Sequence, residues 1–209
     1  MTKNNLYIIG AGGHGKVVAD AALLMDQWQS IAFLDDQKIG QDILGLKVVG
    51  GSQDYHALDP NDAEFIVAIG DNATRERIQN KIKNDGYRLA TVIHPSAVIG
   101  REVSIGEGTV IFAQVVINPS TTIGKGCILN TACSVDHDNH IGNFVHLSPG
   151  VRLAGTVSVG ERTWLGINAT VINNCSIASD AVIGASTVCI GSIKESGTYV
   201  GNPAKKLSY

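Results

Sequence analysis

From Ile99 to Cys189 every sixth residue is aliphatic or a cysteine, without a slip of register over sixteen positions. The series runs Ile99, Ile105, Ile111, Ile117, Ile123, Leu129, Val135, Ile141, Leu147, Leu153, Val159, Leu165, Val171, Ile177, Ile183 and Cys189. A helix repeats at about 3.6 residues and a plain strand at about two, so neither by itself generates this period.

A second series, two residues earlier, holds Ala97, Val103, Thr109, Val115, Thr121, Cys127, Cys133, Asn139, Val145, Val151, Val157, Thr163, Ala169, Cys175, Ala181 and Thr187. These side chains are small or β-branched, with a single asparagine. Two alternate inward positions in each hexad describe a short strand, whose side chains point to opposite faces, followed by a turn. Glycine follows the main series at Gly100, Gly106, Gly124, Gly142, Gly160, Gly166 and Gly184, where a tight corner is expected to need backbone angles that a Cβ disfavours. Three strands and three corners close a triangular coil of eighteen residues, and the sixteen hexads make a little over five coils. Stacking buries one apolar column, because each coil covers what a single coil leaves exposed.

The stretch before this repeat lacks the period, so two domains are expected, 1–88 and 89–209, the second with a short C-terminal tail. A formal net charge of −3 gives no electrostatic case for nucleic acid or an anionic membrane. No apolar run has the length of a membrane span, so no membrane insertion is expected. The opening Met1-Thr-Lys-Asn-Asn5 leads straight into a hydrophobic strand without an apolar leader, which points to a cytoplasmic enzyme. All four cysteines fall in the two inward series, where a thiol acts as a small hydrophobe.

Before the repeat, Leu6–Ile9 reads as a strand, Gly10-Ala-Gly-Gly-His-Gly15 as a tight loop, and Lys16–Met25 as a helix with Val17, Val18, Ala21 and Leu24 as its apolar stripe. Strands at 31–34 and 65–69 and a helix at 74–84 complete a small Rossmann-like α/β unit with a mostly parallel sheet. Glycines at 10, 12 and 15 match dinucleotide-binding spacing, with Asp35 twenty residues beyond Gly15 where a ribose-binding acid stands. The unit holds only about half of a doubly wound domain, so one nucleotide half-site, as for a nucleotide sugar, fits better than NAD. A loop serving structure alone stays open. His14, inside the loop, is a candidate for a phosphate or sugar hydroxyl, or a plain surface histidine.

The densest polar break in the repeat is Asn130-Thr-Ala-Cys-Ser-Val-Asp-His-Asp-Asn-His140, followed by His146. His137 lies two positions past inward Val135, near a corner. His146 stands between inward Val145 and Leu147, so strand alternation turns it outward. Acyl transfer from a thioester needs a group to take the proton of the attacking amine or hydroxyl, and imidazole titrates near the working pH. Asp138 is positioned to fix the His137 tautomer, with Asp136 a competing orienter and His140 an ordinary surface residue. Zinc ligation by this cluster is the rival reading. Because a thioester is already activated, the acyl-transfer reading requires no metal.

Gly10–Gly15, Val135-Asp-His-Asp138, Asn143-Phe-Val-His146, Trp164-Leu-Gly-Ile-Asn168 and Tyr199-Val-Gly-Asn-Pro-Ala-Lys205, together with the hexads, resemble the sialic acid O-acetyltransferase-like family of left-handed β-helix acyltransferases. The PglD-like branch is the most similar. This resemblance implies an N-terminal domain that binds a UDP-linked 2-acetamido-4-amino-2,4,6-trideoxy sugar, and a left-handed parallel β-helix that binds acetyl-CoA between protomers of a homotrimer. It implies N-acetylation of the 4-amino group with His137 as base and Asp138 as its supporting acid. It further implies substrate contacts at Gly12, Gly13, His14, Asp35, Asp36 and Gly70, and acetyl-CoA contacts at His146, Ile167 and Ala185. Acetylation of a glycan hydroxyl and a non-catalytic nucleotide-sugar-binding trimer are the alternatives.

Overall fold

The computed structural model describes residues 4–208; Met1–Lys3, on which the reading of a leaderless start partly rests, lie outside the described residues. Two compact units meet in sequence at Pro95 and Ser96.

The first unit extends beyond the expected edge at residue 88. Arg88 pairs with Glu64 in its sheet, and the Ala90 amide donates to the Phe65 carbonyl at 2.8 Å, which ties the following residues to this unit. Its elements are β1 (Asn5–Ile9), α1 (Gly13–Met25), β2 (Ser30–Leu34), β3 (Asp42–Ile43), β4 (Leu46–Gly50), β5 (Ala63–Val67), α2 (Asn72–Asn84) and β6 (Arg88–Leu89). The sheet order is β3-β4-β2-β1-β5-β6. All neighbours run parallel except the β3–β4 hairpin. The chain steps from β1 outward through β2 and β4, then returns to the other side of β1 as β5, so a topological switch point lies at the C-terminal ends of β1 and β5. On one side of the sheet Tyr55, Phe65 and Tyr87 meet edge to face at 5.2–5.7 Å.

The second unit is a parallel β-helix. Two-residue strands repeat at eighteen residues on three faces. The first face carries Val98–Ile99, Val116–Ile117, Ser134–Val135, Arg152–Leu153, Thr170–Val171 and Val188–Cys189. The second carries Ser104–Ile105, Thr122–Ile123, His140–Ile141, Ser158–Val159 and Ser176–Ile177. The third includes Val110–Ile111, Ile128–Leu129, His146–Leu147, Trp164–Leu165 and Ala181–Ile183. Both inward series are buried from Thr109 and Ile111 onward, whereas Ile99 and Ile105 are half-buried, since the first coil has a stacking neighbour of this unit on one side only. Full burial of each Leu or Ile contributes about 2 kcal/mol. At the far end Gly197–Val200 adds to the third face and Lys205–Lys206 pairs with it antiparallel, a reversed, charged edge that stops further stacking.

The corner glycines serve a purpose other than the expected one. The left-handed backbone position recurs every six residues at sites such as Gln114, Ser120, Ala132, Asp138 and Phe144, with φ near 60° and mostly without glycine. Gly100, Gly106, Gly124, Gly142, Gly160 and Gly166 are absent from the positive-φ positions. Glycine is needed at Gly124 because a Cβ would stand 2.7 Å from the backbone of Gly142 and Asn143 in the next coil.

Candidate active site

The glycine loop is shorter than expected, for α1 begins at Gly13 and takes His14 and Gly15 into its first turn. Gly10 has φ of +100°, which favours glycine, and a Cβ on Gly15 would fall on the Gly10 carbonyl oxygen. Fold geometry therefore accounts for these two. A Cβ on Gly12 or Gly13 would meet nothing within 4 Å, so bare backbone at the N terminus of α1 faces open space, the arrangement that accepts anionic groups.

Beside it lies a cavity of about 430 Å³ at the strand ends, lined by residues that include Gly10, Gly12, Asp35, Asp36, Ser52 and Arg77. Both acids are engaged within the chain. Asp35 accepts from the Ala11 amide at 2.8 Å and the Gln37 amide at 3.0 Å. Asp36 accepts from the Ser52 amide at 2.6 Å and hydroxyl at 2.9 Å. Each carboxylate oxygen retains a second lone pair, so these bonds orient the acids without exhausting them. Gly13, His14 and Gly70 are not among the lining residues. His14 is half-buried, and burial together with the Arg75 charge pushes its pKa down to about 4, so it is neutral at physiological pH. Arg75, buried, donates to the carbonyls of Ile69 and Gly70 at 3.0 and 3.1 Å and so shapes the loop after β5. Sequence reading missed Lys38, Gln53 and Arg77, which also line the cavity; unlike Asp35 and Asp36, they stand at no motif spacing.

On the β-helix, His137 sits at the corner between the first and second faces, where Asp138 takes the left-handed position with φ of 58°. Its Nδ1 lies 2.7 Å from Asp138 Oδ2. A carboxylate only accepts, so Nδ1 carries the hydrogen and Nε2 keeps its lone pair. The side chain is 57% exposed, open to a ligand. The hydrogen bond to Asp138, helped by the charge of Asp136, holds the His137 pKa above the ordinary histidine value. Asp136 accepts from Asn118 Nδ2 and from the His137 amide, both at 2.8 Å. It therefore braces the backbone, and Asp138 is the ring's direct partner.

His146 lies on the third face, its ring 6.1 Å from that of Trp164 and tilted by 21°, while Trp164 Nε1 donates to Ser148 Oγ at 2.8 Å. Ile167 and Ala185 stack one coil apart at the corner between the third and first faces, both exposed, with the Ser186 amide donating to the Ile167 carbonyl at 2.7 Å. The structure thus brings His137 to Asp138, and Ile167 to Ala185, at two different corners of the prism. All four cysteines are buried, and burial pushes Cys133 up to about 12 and Cys189 to about 11, which suppresses thiolate chemistry. Among the described residues, no group of three or more His, Cys, Asp or Glu is arranged to hold a metal ion.

A carboxylate-backed imidazole on a stacked triangular coil, preceded by a half-size nucleotide fold, defines a hexapeptide-repeat acyltransferase. Residues 5–82 match the PglD N-terminal domain. UDP-N-acetylbacillosamine N-acetyltransferase from Bacillus subtilis (strain 168) is 34% identical over 119 residues, 52% of this chain; the matched stretch spans 51% of that relative's length. The solved acetyltransferase domain of PglB from Neisseria gonorrhoeae FA1090, in complex with acetyl coenzyme A, superposes with a TM-score of 0.95 at 36% identity, covering 99% of this chain and 100% of that one. PerB from Caulobacter crescentus, in complex with CoA and GDP-perosamine, superposes with a TM-score of 0.93 at 38% identity over 98% of both chains. The chain belongs to the PglD-like family of nucleotide-sugar N-acetyltransferases, built on a left-handed parallel β-helix.

Proposed function

We propose that this protein transfers the acetyl group of acetyl-CoA to the 4-amino group of a UDP-linked 2-acetamido-4-amino-2,4,6-trideoxy sugar. The observation that carries the chemistry is the Asp138–His137 pair, which leaves Nε2 of the neutral imidazole with its lone pair on an exposed side chain. The amine nitrogen attacks the thioester carbonyl, and Nε2 takes its proton. The tetrahedral oxyanion collapses, the carbon–sulfur bond breaks, and the imidazolium returns the proton to the departing thiolate. No covalent enzyme intermediate enters this scheme, in keeping with the buried cysteines. Gly12, Gly13, His14, Gly70 and the α1 N terminus are assigned to the diphosphate or sugar, and Asp35 and Asp36 to ribose or base. His146, Ile167 and Ala185 are assigned to acetyl-CoA.

The separation of His137 from Ile167 and Ala185 on different corners favours a site completed by a second copy of the chain. We therefore include a homotrimer in the reading, working in the cytoplasm where acetyl-CoA is supplied. Exposed Trp164, Ile167, Ile172 and Ile190 supply apolar surface for such packing.

GDP-perosamine in the Caulobacter structure makes a GDP-linked 4-amino sugar the second reading. The test is thiol release from acetyl-CoA with mass analysis of UDP-linked and GDP-linked 4-amino sugars and of free sialic acid. Acetylation of the UDP sugar supports the proposal. Acetylation of the GDP sugar alone moves the assignment to that nucleotide, and of sialic acid alone to an O-acetyltransferase.

Two variants probe the subsites. Only unprotonated Nε2 acts as a base, so with its raised pKa the acid limb of kcat/KM is expected above the ordinary histidine value of about 6.5. Asp138→Asn removes the raising partner. Its limb is expected at lower pH and its plateau about tenfold lower, since a weaker base accepts the proton less readily; an unmoved limb would shift the tuning to Asp136. Gly15→Ala forces α1 away from the end of β1, at about 1–3 kcal/mol. Weakened nucleotide binding by calorimetry, with a lowered melting temperature, is expected.

A further inference from the structure

The corner bearing His137 is held by two residues outside the reacting set. Asn139 is the one asparagine of the inward series and is 2% exposed. Buried threonines elsewhere in that series repeat one task. Thr109 and Thr121 donate to the carbonyls of Gly124 and Asp136, both at 2.9 Å, and accept the amides of Cys127 and Asn139 at 3.0 and 3.3 Å. Asn139 performs the same coil-to-coil bridging, with Nδ2 3.0 Å from the Ala154 carbonyl and Oδ1 accepting the Val157 amide at 3.2 Å. It also does what no threonine hydroxyl can, since the second hydrogen of its amide lets Nδ2 reach back to the carbonyls of Asp136 at 2.7 Å and His137 at 3.2 Å.

From the next coil Gly155 faces the ring. Its backbone is outside the left-handed region, so φ does not call for glycine. A Cβ there would stand 2.6 Å from His137 Cε1 and 2.7 Å from Nε2. The space the ring occupies is the space of the missing side chain.

We propose that Asn139 and Gly155 are positioning residues that together fix the His137 imidazole in its working orientation. Asn139 ties the corner carbonyls to the neighbouring coil, and Gly155 leaves room for the ring beside Asp138. The inference rests on the reading of His137 as the base.

The experiment uses Gly155→Ala and Asn139→Thr in the full chain, with His137 titrated by NMR without substrates and acetyl transfer measured alongside. The clash at Gly155→Ala is with a rotatable side chain, so the coil keeps its melting temperature while the ring swings off Asp138. Asp138 and Asp136 are the charged groups that face the ring, and losing the Asp138 bond is expected to move the His137 titration to lower pH. Turnover is expected to fall about 10²-fold, the scale of an ångström-sized misplacement, with KM for acetyl-CoA unchanged. Asn139→Thr keeps the bridging that Thr121 exemplifies and loses only the reach to the corner, so a smaller loss, about tenfold, is expected. Wild-type turnover in either variant overturns the proposal for that residue. Loss of turnover in Gly155→Ala with an unmoved His137 titration also overturns it, because Gly155 would then clear space for substrate. If wild-type protein transfers no acetyl group yet the titration shifts in Gly155→Ala, the functional reading fails and the cradle stands.

Discussion

Replacing His137 by alanine is expected to lower kcat by about 10²–10⁴-fold, the range a positioned general base supplies, with KM for both substrates little changed. The side chain is 57% exposed and its side-chain partner is Asp138 on the same corner, so the variant is expected to melt like the parent. The loss should not be rescued at neutral pH by Asp138, whose acceptor oxygen is directed at the vacated ring position. Raising the pH is expected to recover part of the rate with an amine acceptor, because a free amine attacks a thioester without prior removal of its proton. A hydroxyl acceptor would show a steeper and less recoverable loss. Steady-state kinetics of acetyl transfer against pH check both points, and a variant that retained wild-type kcat would remove His137 from the mechanism.

Gly124→Ala is expected to destabilise the β-helix by about 3 kcal/mol, the upper end of the cost of overpacking. The added carbon would meet the Gly142 carbonyl carbon and the Asn143 amide nitrogen at 2.7 Å, and Asn143 Oδ1 at 2.8 Å. The first two are backbone atoms, so no rotamer change relieves them and the coils must part. The stacking hydrogen bond from the Gly124 amide to the Ile141 carbonyl, 2.8 Å long, lies at the same corner and lengthens with them. A melting temperature lower by about 6–12 °C follows for a chain of this size, measured by circular dichroism. The contrast with Gly155→Ala is instructive: both glycines prevent a clash with the neighbouring coil, but one protects backbone and the other protects an imidazole. An unchanged melting temperature for Gly124→Ala would mean that the coils tolerate a wider spacing.

The sequence carried more of the β-helix than of its site. Hexad arithmetic identifies the inward residues, because each strand and corner repeats one local geometry and a polar residue at those positions would be buried. It also identifies His137 as a corner residue and Ile167 and Ala185 as neighbours in the stack. The same arithmetic misassigned the reason for the glycines that follow each inward residue, since a glycine chosen for φ and one chosen for close approach are the same letter. In sequence Asn139 is only the single asparagine of a small or β-branched series. Its role becomes visible only when the carbonyls of Asp136, His137 and Ala154 surround its amide.

In the first unit, spacing selected the glycine loop and the acidic pair but not their bonds. Asp35 and Asp36 look alike in sequence, yet one closes on the glycine loop and the other on Ser52. In sequence His14 reads as a loop histidine for a phosphate or sugar hydroxyl, or as plain surface, whereas its place in the first turn of α1 near Arg75 leaves it half-buried and neutral. By itself, the sequence determined the repeat, the register and the corner position of His137, because these follow from periods along the chain. Tertiary structure decided which glycine faces the His137 ring and which carbonyl of the next coil the Asn139 amide meets, because contacts between stacked coils join residues fifteen to eighteen apart through distances no local pattern encodes.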